Sequence, residues 1–319
     1  MRLHALVLGI LLAGCASPGP AQSYHVIPGR VPLDWRGPDG NTVVLDAPDG
    51  LIVVDTGRHP DHAAAIIDYA KQRKRPIVAI VNTHWHLDHT TGNYDIRSAY
   101  PQAEVYATNA IEGALAKFLG RNRAAADKNL ADPKFPAEQK AQILRGRSRI
   151  ENPERLRPTR PVTKSGPMAI AGRTVDVRVA PFATTEADIW LYVPQAKLAV
   201  VGDLVVDIVP FMDSACPDGW AKALEEVAKT DFETLIPGHG PVMTRAHFTQ
   251  WKTAYNNLIA CGRSAIDIKQ CVAGWQRDGG KLIPKTHGDY AAEAAEYYIS
   301  SRLRSSPEEQ QRYCKSLVA

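Results

Sequence analysis

The chain has 319 residues, and its 38 Lys or Arg against 34 Asp or Glu leave a formal net charge of only +4. A protein that binds a polyanion is normally more one-sided in charge, so this balance argues against nucleic acid as a partner. Hydrophobic residues make up 45% of the chain, which is ample for a large core in one domain with a C-terminal extension.

The first residues are predicted to be a targeting segment. Arg2 supplies a positive charge, and the apolar run at residues 5–12 is shorter than the about 20 residues that a membrane-spanning helix needs. The run ends in Leu12-Ala13-Gly14-Cys15, which resembles the bacterial lipobox, in which the cysteine receives lipid before cleavage. Residues 1–14 are then a lipoprotein signal peptide and Cys15 is the lipidated residue. The alternative is an ordinary secretory signal with an incidental cysteine.

This resemblance predicts a cell-envelope protein that is held on a membrane. Several acyl chains on Cys15 would anchor it stably. Ala16 is not the Asp that resembles an inner-membrane retention signal, so we expect the outer membrane, facing the periplasm. Residues 15–40 are rich in Pro and Gly and are predicted to be a tether, with the ordered fold beginning at Asn41.

The residues after the tether alternate between strand and helix patterns. The β-rich runs at residues 42–45 and 51–55 flank a Pro-Asp-Gly hairpin signal. A helix is predicted to begin at Pro60, followed by a buried strand at residues 76–81. The later predicted elements are strands at 104–107, 174–179, 188–193 and 198–201 and helices at 110–119 and 220–229. This alternation predicts an α/β fold.

Residues 117–164 interrupt the alternation with a basic stretch, in which 13 Lys or Arg stand against five Asp or Glu. We favour the simpler interpretation, a solvated helical insertion. The alternative is a basic lid over a site for an anionic substrate, because a cleft of one charge sign concentrates ligands of the other. No aromatic residues interleave with this charge in the manner of a nucleic-acid site, so no nucleic acid is expected.

The C-terminal part, residues 244–319, is predicted to be a helical extension packed on the main domain. Its apolar side chains recur at helical spacing, and a stripe of this kind is core far more often than a ligand site. The residues of the stripe are Phe248, Trp251, Tyr255, Leu258 and Ile259.

Four cysteines remain beyond Cys15, namely Cys216, Cys261, Cys271 and Cys314. An even number in an oxidising compartment predicts two disulfides, for which three pairings exist. We favour Cys216–Cys261 with Cys271–Cys314. Four buried free thiols are the alternative.

The motif that carries chemistry lies directly after the predicted strand at residues 76–81. Residues 84–89 read His-Trp-His-Leu-Asp-His, which places three imidazoles and a carboxylate within six residues. On a loop at the end of a strand these side chains can converge on one cation, and both groups are zinc ligands. The cluster therefore predicts a metal site.

The motif is similar to the His-x-His-x-Asp-His signature of the metallo-β-lactamase superfamily. Asp55-Thr56-Gly57 resembles the family's upstream turn, Gly202-Asp203 its bridging-carboxylate motif and Pro237-Gly238-His239-Gly240 its last ligand motif. The resemblance implies an α/β fold over residues 41–243, a four-layer αβ/βα sandwich with the metal site along one edge of its two sheets. The helical C-terminal extension would follow this hydrolase domain.

The resemblance also implies a ligand set for two metal ions that share one carboxylate. The corresponding residues are His84 and His86 at the first metal, Asp88, His89 and His239 at the second, and Asp203 as the bridge between them.

One expected ligand is absent from the first metal site. Where the family usually has His-Thr-x-Gly-Asp, residues 184–188 read Thr-Thr-Glu-Ala-Asp, so Thr184 replaces the third imidazole of that site. A neutral hydroxyl is a much poorer zinc ligand than imidazole, and even changes behind the ligands cost about 10–100-fold in metal affinity. We therefore expect one firmly bound zinc in the second site and a partial or absent zinc in the first.

The roles of the remaining site residues follow from zinc chemistry. A zinc ion with an open position lowers the pKa of its water from about 15.7 to about 7. Asp88 is predicted to be catalytic, because it could orient the hydroxide and carry a proton. Asp55 is predicted to support the His loop, or else to be a turn or helix-capping residue. Thr184 and Trp85 are possible site-lining residues, and Trp85 either lines the cleft or packs structurally.

Together these residues predict a zinc-dependent hydrolase, in which a metal-activated hydroxide attacks an ester, thioester, lactone or amide of a small envelope-accessible substrate. Asp203 resembles the bridge of glyoxalase-like and esterase-like members, whereas true β-lactamases of the family carry Cys or Ser there. The alternative is a non-catalytic envelope lipoprotein whose degenerate zinc site serves structure or ligand binding. The presence of Asp88 favours the hydrolase, because a structural zinc needs no carboxylate aimed at an open position.

The lipid anchor gives the first testable prediction. The mature protein should sediment with membranes and carry diacylglycerol on Cys15, and Cys15→Ser should release it, since the only acylated group is then lost. Membrane fractionation followed by mass spectrometry of the N-terminal peptide measures both. A wild-type protein that is as soluble as the variant would contradict the anchor.

Overall fold

The computed structural model describes residues 24–30, 37–150 and 153–315. In this part of the chain the strands form two six-stranded sheets, ordered β1-β2-β3-β4-β5-β6 in the first and β12-β11-β10-β9-β8-β7 in the second. The strands are β1 Tyr24–Ile27, β2 Thr42–Ala47, β3 Gly50–Val54, β4 Ile77–Val81, β5 Glu104–Ala107, β6 Arg160–Pro161, β7 Gly166–Ile170, β8 Arg173–Pro181, β9 Ala187–Val193, β10 Leu198–Gly202, β11 Thr234–Pro237 and β12 Met243–Thr244.

The helices cover the outer faces of the sheets and form the C-terminal part. They are α1 Pro60–Arg73, α2 Leu87–Thr90, α3 Asn93–Ala99, α4 Ala110–Ala116, α5 Phe118–Ala131, α6 Ala137–Ile150, α7 Pro217–Ala228, α8 Arg245–Gly262, α9 Ile268–Gly279, α10 Gly288–Tyr298 and α11 Pro307–Gln310. Within the described residues no helix combines the length and the apolar character that a bilayer span requires.

The burial pattern of β3 shows why the sheets are covered on both sides. Ile52 and Val54 pack in the core between the sheets, against residues such as Leu191 of β9. Leu51 and Val53 alternate with them and pack on the other face, against α1 and α3. Since successive side chains of a strand point to opposite faces, a fully apolar strand of this kind must be buried on both.

The second sheet is covered in the same way by the helices that follow it. Trp190 of β9 packs in one cluster with Leu224 of α7, Trp251 of α8 and Trp275 of α9. The layers are therefore helices, sheet, sheet and helices. This confirms the predicted four-layer αβ/βα sandwich of α/β class with a helical C-terminal part, and the stripe on α8 is buried as predicted.

The prediction that residues 15–40 form a tether is wrong for residues 24–27, which form a strand. Tyr24–Ile27 forms β1, which pairs antiparallel with β2 from Tyr24 opposite Leu45 to Ile27 opposite Thr42. The segment Tyr-His-Val-Ile is rich in residues that favour strands, but the Pro and Gly around it obscured this signal. The signal peptide at residues 1–14, Cys15 and the tether residues up to 23 lie outside the described residues.

The predicted insertion contains the helices α5 and α6. On its return the chain forms ion pairs with the main domain, from Arg157 to Glu112 and from Arg160 to Glu104. Both guanidinium groups are therefore paired with carboxylates of the main domain.

Two disulfides form, but their pairing differs from the one we favoured. Cys216 binds Cys314 and Cys261 binds Cys271. The prediction of Cys216–Cys261 with Cys271–Cys314 is wrong, because α8 and α9 pack against each other and bring Cys261 next to Cys271. Cys314, near the end of the described chain, returns to the loop before α7.

The different lengths of the two disulfide loops predict different contributions to stability. Replacing Cys216 and Cys314 by Ala should lower the free energy of unfolding by about 4–5 kcal/mol, because that bond closes a loop of 98 residues. Replacing Cys261 and Cys271 by Ala should cost about 2–3 kcal/mol, because that loop spans 10 residues. Urea unfolding of both double variants measures the difference. Equal costs, or the reverse order, would contradict the loop-length explanation.

Candidate metal centre

The predicted ligands meet at one edge of the sandwich, where strands of both sheets end. β3 and β4 run parallel in the first sheet, and β10 and β11 run parallel in the second. Parallel strands end at the same edge, so the loops that follow them are neighbours. Asp55 follows β3, the His motif at residues 84–89 follows β4, Asp203 follows β10 and His239 follows β11.

These loops bring six predicted metal ligands into two groups. Within each group the potential ligand atoms all lie within 4.8 Å of one another. The groups are His84, His86 and Asp203, and Asp88, His89 and His239.

The carboxylate of Asp203 lies between the two groups. Its Oδ2 is 3.5 Å from Nε2 of His84 and 4.0 Å from Nδ1 of His86. Its Oδ1 is 3.1 Å from Nε2 of His89 and 3.5 Å from Nε2 of His239. One oxygen thus faces each group, which is the arrangement that a bridging carboxylate requires.

The spacing of these atoms fits a zinc ion. Nε2 of His89 lies 3.2 Å from Nε2 of His239, and two nitrogens bound about 2.0–2.1 Å from a tetrahedral zinc lie about 3.3–3.4 Å apart. Nε2 of His84 and Oδ1 of Asp203 are buried with no hydrogen-bond partner in the described part of the chain. Buried polar atoms without a partner are costly, and a cation in each group would satisfy these two atoms.

The buried carboxylate of Asp55 positions the His loop. It accepts hydrogen bonds from the backbone N–H of Thr83 at 2.8 Å, from the Thr83 hydroxyl at 2.7 Å and from Nδ1 of His89 at 2.8 Å. Because the Thr83 hydroxyl donates to Asp55, it accepts from Nδ1 of His84 at 3.0 Å. Both imidazoles therefore carry their proton on Nδ1 and present the lone pair of Nε2 to the centre.

Ser214 favours the opposite tautomer in His86. The Ser214 hydroxyl donates to the backbone carbonyl of Thr184 at 2.9 Å, so it accepts from Nε2 of His86 at 2.8 Å. The lone pair of His86 is then on Nδ1, the atom that faces Asp203. His86 would therefore bind a metal through Nδ1, whereas His84 would bind one through Nε2.

Helices α7, α8 and α9 hold the loop that carries Asp203 and Ser214. Three indole N–H groups donate to alternate backbone carbonyls of this loop: Trp220 of α7 to Leu204, Trp251 of α8 to Val206, and Trp275 of α9 to Ile208, at 2.9, 2.6 and 3.1 Å. Further along the loop, the hydroxyl of Tyr298 donates to Asp213 at 3.0 Å. The extension therefore positions part of the metal centre.

Two glycines allow the loops to approach the ligands closely. A Cβ on Gly238 would overlap Oδ1 of Asp203, and a Cβ on Gly40 would overlap the imidazole of His89. Gly238 also donates its backbone N–H to the carbonyl of Gly202 at 2.7 Å. Any larger residue at either position would displace a predicted ligand.

The electrostatics of the centre require positive charge beside buried carboxylates. Burial alone would raise the pKa of Asp203, but the imidazoles of His89, His239 and His84 hold it well below its usual value. Burial alone would lower the pKa of His89, but the carboxylates of Asp203 and Asp55 raise it well above its usual value. A divalent cation would supply this positive charge in place of protons on the imidazoles.

Thr184 and Trp85 lie beside the predicted ligands but make other contacts. The hydroxyl of Thr184 donates to Oδ1 of Asp188 at 2.5 Å, so this side chain is committed to another carboxylate, while its carbonyl holds Ser214. Trp85 is buried and its ring contacts that of His86 edge-on, with centroids 4.7 Å apart. It also packs against Ile111 of α4, so it has both a structural contact and a position beside the site.

Arg58 and Ser214 belong to the site but were not predicted from the sequence. Nη2 of Arg58 lies 3.6 Å from Oδ1 of Asp88. Burial would raise the pKa of Asp88, but the hydrogen bond from His239 and the charges of His89 and Arg58 lower it far below its usual value. Arg58 directly follows the Asp55-Thr56-Gly57 turn, a signal that could have identified it. Ser214 has no comparable local signal.

Comparison with known proteins identifies a matching family and related sequences. The sequence model described as the metallo-beta-lactamase superfamily matches residues 35–239. A linear primary-alkylsulfatase of Pseudomonas sp. (strain ATCC 19151) is 44% identical over 50 residues, which are 15% of this chain and 10% of the relative. The chain thus matches only a small part of this curated relative.

Solved structures show the same fold. A metallo-beta-lactamase from Pontibacter korlensis superposes with a TM-score of 0.51 and 19% identity, covering 69% of this chain and 88% of that one. A stereoselective inverting sec-alkylsulfatase from Pseudomonas sp. superposes with a TM-score of 0.59 and 16% identity, covering 81% of this chain and 47% of that one. The chain spans about half the length of this second structure.

The hydrogen bonds behind the ligands give a testable prediction. Asp55→Asn, which retains a residue that tolerates the positive φ of 58° at this position, should weaken zinc binding by about 10–100-fold, because it removes the charge that orients His84 and His89. Ser214→Ala should have an effect of the same size through His86. Competition against a zinc chelator measures the affinity.

Matched controls separate this effect from general destabilisation. Asp46→Asn removes a carboxylate that pairs with Arg73 and Arg75 far from the centre, and Ser301→Ala removes a hydroxyl that bonds within its own helix. Neither should change zinc affinity. Unchanged affinity in folded Asp55→Asn and Ser214→Ala would show that these contacts do not prepare the ligands.

Proposed function

Because this chain belongs to the metallo-β-lactamase superfamily, we propose that it is a zinc-dependent hydrolase that cleaves an ester, thioester, lactone or amide of a small substrate. The observation that carries the proposal is the pair of donor groups with the carboxylate of Asp203 between them. When bound, zinc would supply the nucleophile by lowering the pKa of a water molecule from about 15.7 to about 7.

The two groups are proposed to differ in affinity. His89, His239, Asp88 and Asp203 would hold the firmly bound ion, whereas His84, His86 and Asp203 form a set without a third imidazole. The hydroxyl of Thr184 bonds Asp188 and so is not available to complete this set. This supports one zinc at high occupancy and a second that is partial or absent.

Asp88 is the residue that we propose to act on the nucleophilic water. Its Oδ2 faces the imidazoles, 3.2 Å from Nε2 of His239, and its Oδ1 faces Arg58. As an anion of low pKa, it would accept a hydrogen bond from the water and orient it towards the substrate carbonyl. We propose that the same carboxylate also carries the proton that the water loses.

The substrate is proposed to be small and accessible in the cell envelope, since the lipobox at residues 12–15 favours an envelope lipoprotein facing the periplasm. The match to an alkylsulfatase favours alkyl sulfates as a second class of ester. Both classes are esters, so both belong in one substrate screen.

The metal stoichiometry tests the proposed role of Thr184. Thr184→His should raise bound zinc from about one ion per chain towards two, because it restores an imidazole to the first group. Thr184→Val, which keeps the shape but removes the hydroxyl, should leave the stoichiometry unchanged. Metal analysis of the purified proteins by mass spectrometry gives the counts. The interpretation is wrong if the wild type already binds two ions tightly and Thr184→Val does not alter this.

The role of Asp88 is tested by activity and metal content together. Asp88→Ala should abolish hydrolysis across a panel of chromogenic esters, thioesters, lactones and β-lactams together with alkyl sulfates, and Asp46→Asn should not. His239→Ala should lose zinc as well as activity. A wild-type protein that binds zinc but hydrolyses nothing in the panel, with Asp88→Ala affecting only stability, would favour the non-catalytic lipoprotein.

A further inference from the structure

We propose that a cavity beside His86 binds a carboxylate or another small organic anion on the substrate, so that the protein prefers anionic substrates to neutral ones. This inference rests on the proposed hydrolase function and names the substrate class. The basic side chains that would bind this anion are not predicted metal ligands. They lie on the basic insertion and on the C-terminal segment.

The cavity adjoins the metal centre through two side chains that contact His86. Trp85 and Ser214 both line it. The ring of Trp85 is 4.7 Å from that of His86 between centroids, and the Ser214 hydroxyl is 2.8 Å from Nε2 of His86. A molecule in the cavity therefore lies one side chain away from a predicted metal ligand.

The cavity is large enough for part of a small substrate. Its volume is about 210 Å³, whereas a cavity of about 150 Å³ holds a benzene molecule. Ala110 and Ala114 of α4, together with Trp85, give it an apolar wall. An acyl chain of a few carbon atoms would fit against this wall.

The charged residues around the cavity are mostly basic. Lys117, Arg312 and Lys315 line it, against the single carboxylate of Glu186 among the described lining residues. Lys117 begins the basic insertion, whereas Arg312 and Lys315 lie after α11, so cations from two distant parts of the chain meet here. Cations that line a concave site raise the local concentration of anionic ligands.

A disulfide holds the C-terminal wall in place. Cys314 lies between the basic residues Arg312 and Lys315 and is bound to Cys216, two residues after Ser214. The ring of Tyr313, which also lines the cavity, packs 4.8 Å from the guanidinium of the buried Arg302. The wall is thus fixed to the same loop that orients His86.

A matched pair of substrates tests the preference. Zinc-loaded protein should hydrolyse mono-para-nitrophenyl glutarate with a kcat/KM about tenfold higher than that for para-nitrophenyl pentanoate, which has the same chain length without the carboxylate. In Lys117→Ala/Arg312→Ala this ratio should fall towards one through a higher KM for the glutarate. Added salt should reduce the wild-type ratio, because it screens exposed charges.

Two further variants separate charge from structure. Arg277→Ala removes an exposed guanidinium that pairs with Asp278 on α9 and should keep the wild-type ratio. Arg312 also pairs with Glu309, so Arg312→Lys, which retains the charge, should keep most of the preference. Equal losses in Arg312→Lys and Arg312→Ala, or a wild-type ratio near one, would overturn the proposal.

Failure of this inference can be distinguished from failure of the proposed function. If the wild type hydrolyses neither ester, ester hydrolysis is rejected, and calorimetric titration of the zinc-loaded protein with glutarate still tests the cavity. An affinity for glutarate that is about tenfold lower in Lys117→Ala/Arg312→Ala than in the wild type and in Arg277→Ala would support anion binding in the cavity. Equal affinities in all three proteins would overturn it.

Discussion

The carboxylate of Asp55 is the interaction on which the geometry of the metal centre depends. It is buried at the end of β3 and accepts hydrogen bonds from Thr83 and His89. Through the Thr83 hydroxyl it also determines the tautomer of His84. One buried anion thus orients an imidazole in each of the two donor groups, and a change at this position would reach both groups at once.

The other half of the centre depends on the second sheet and the helices that cover it. Asp203 and His239 leave parallel neighbouring strands, and the loop after Asp203 is held by indole N–H groups from three successive helices. The extension therefore contributes to the site without supplying a predicted ligand. It also carries Cys314, which attaches the last described residues to the loop of Ser214.

The candidate site of this superfamily member is divided between buried and peripheral parts of the fold. The predicted ligands lie on loops at the ends of buried strands, where the backbone is fixed by the two sheets. Arg58 and the cations around the cavity beside His86 are partly or fully exposed and lie outside these buried ligands. This division is typical of folds in which one centre serves many substrates.

Much of this protein is determined locally in the sequence: the His motif, the alternating strands and helices, the stripe on α8 and the even number of cysteines. These features depend on the spacing of residues within one loop or one element, which a sequence shows directly. Contacts between distant segments were decided by tertiary packing alone. Ser214 lies 128 residues from His86, Cys314 pairs across 98 residues, and β1 pairs with β2 across a segment rich in Pro and Gly. Local spacing carries no information about which distant segments the packing of two sheets brings together.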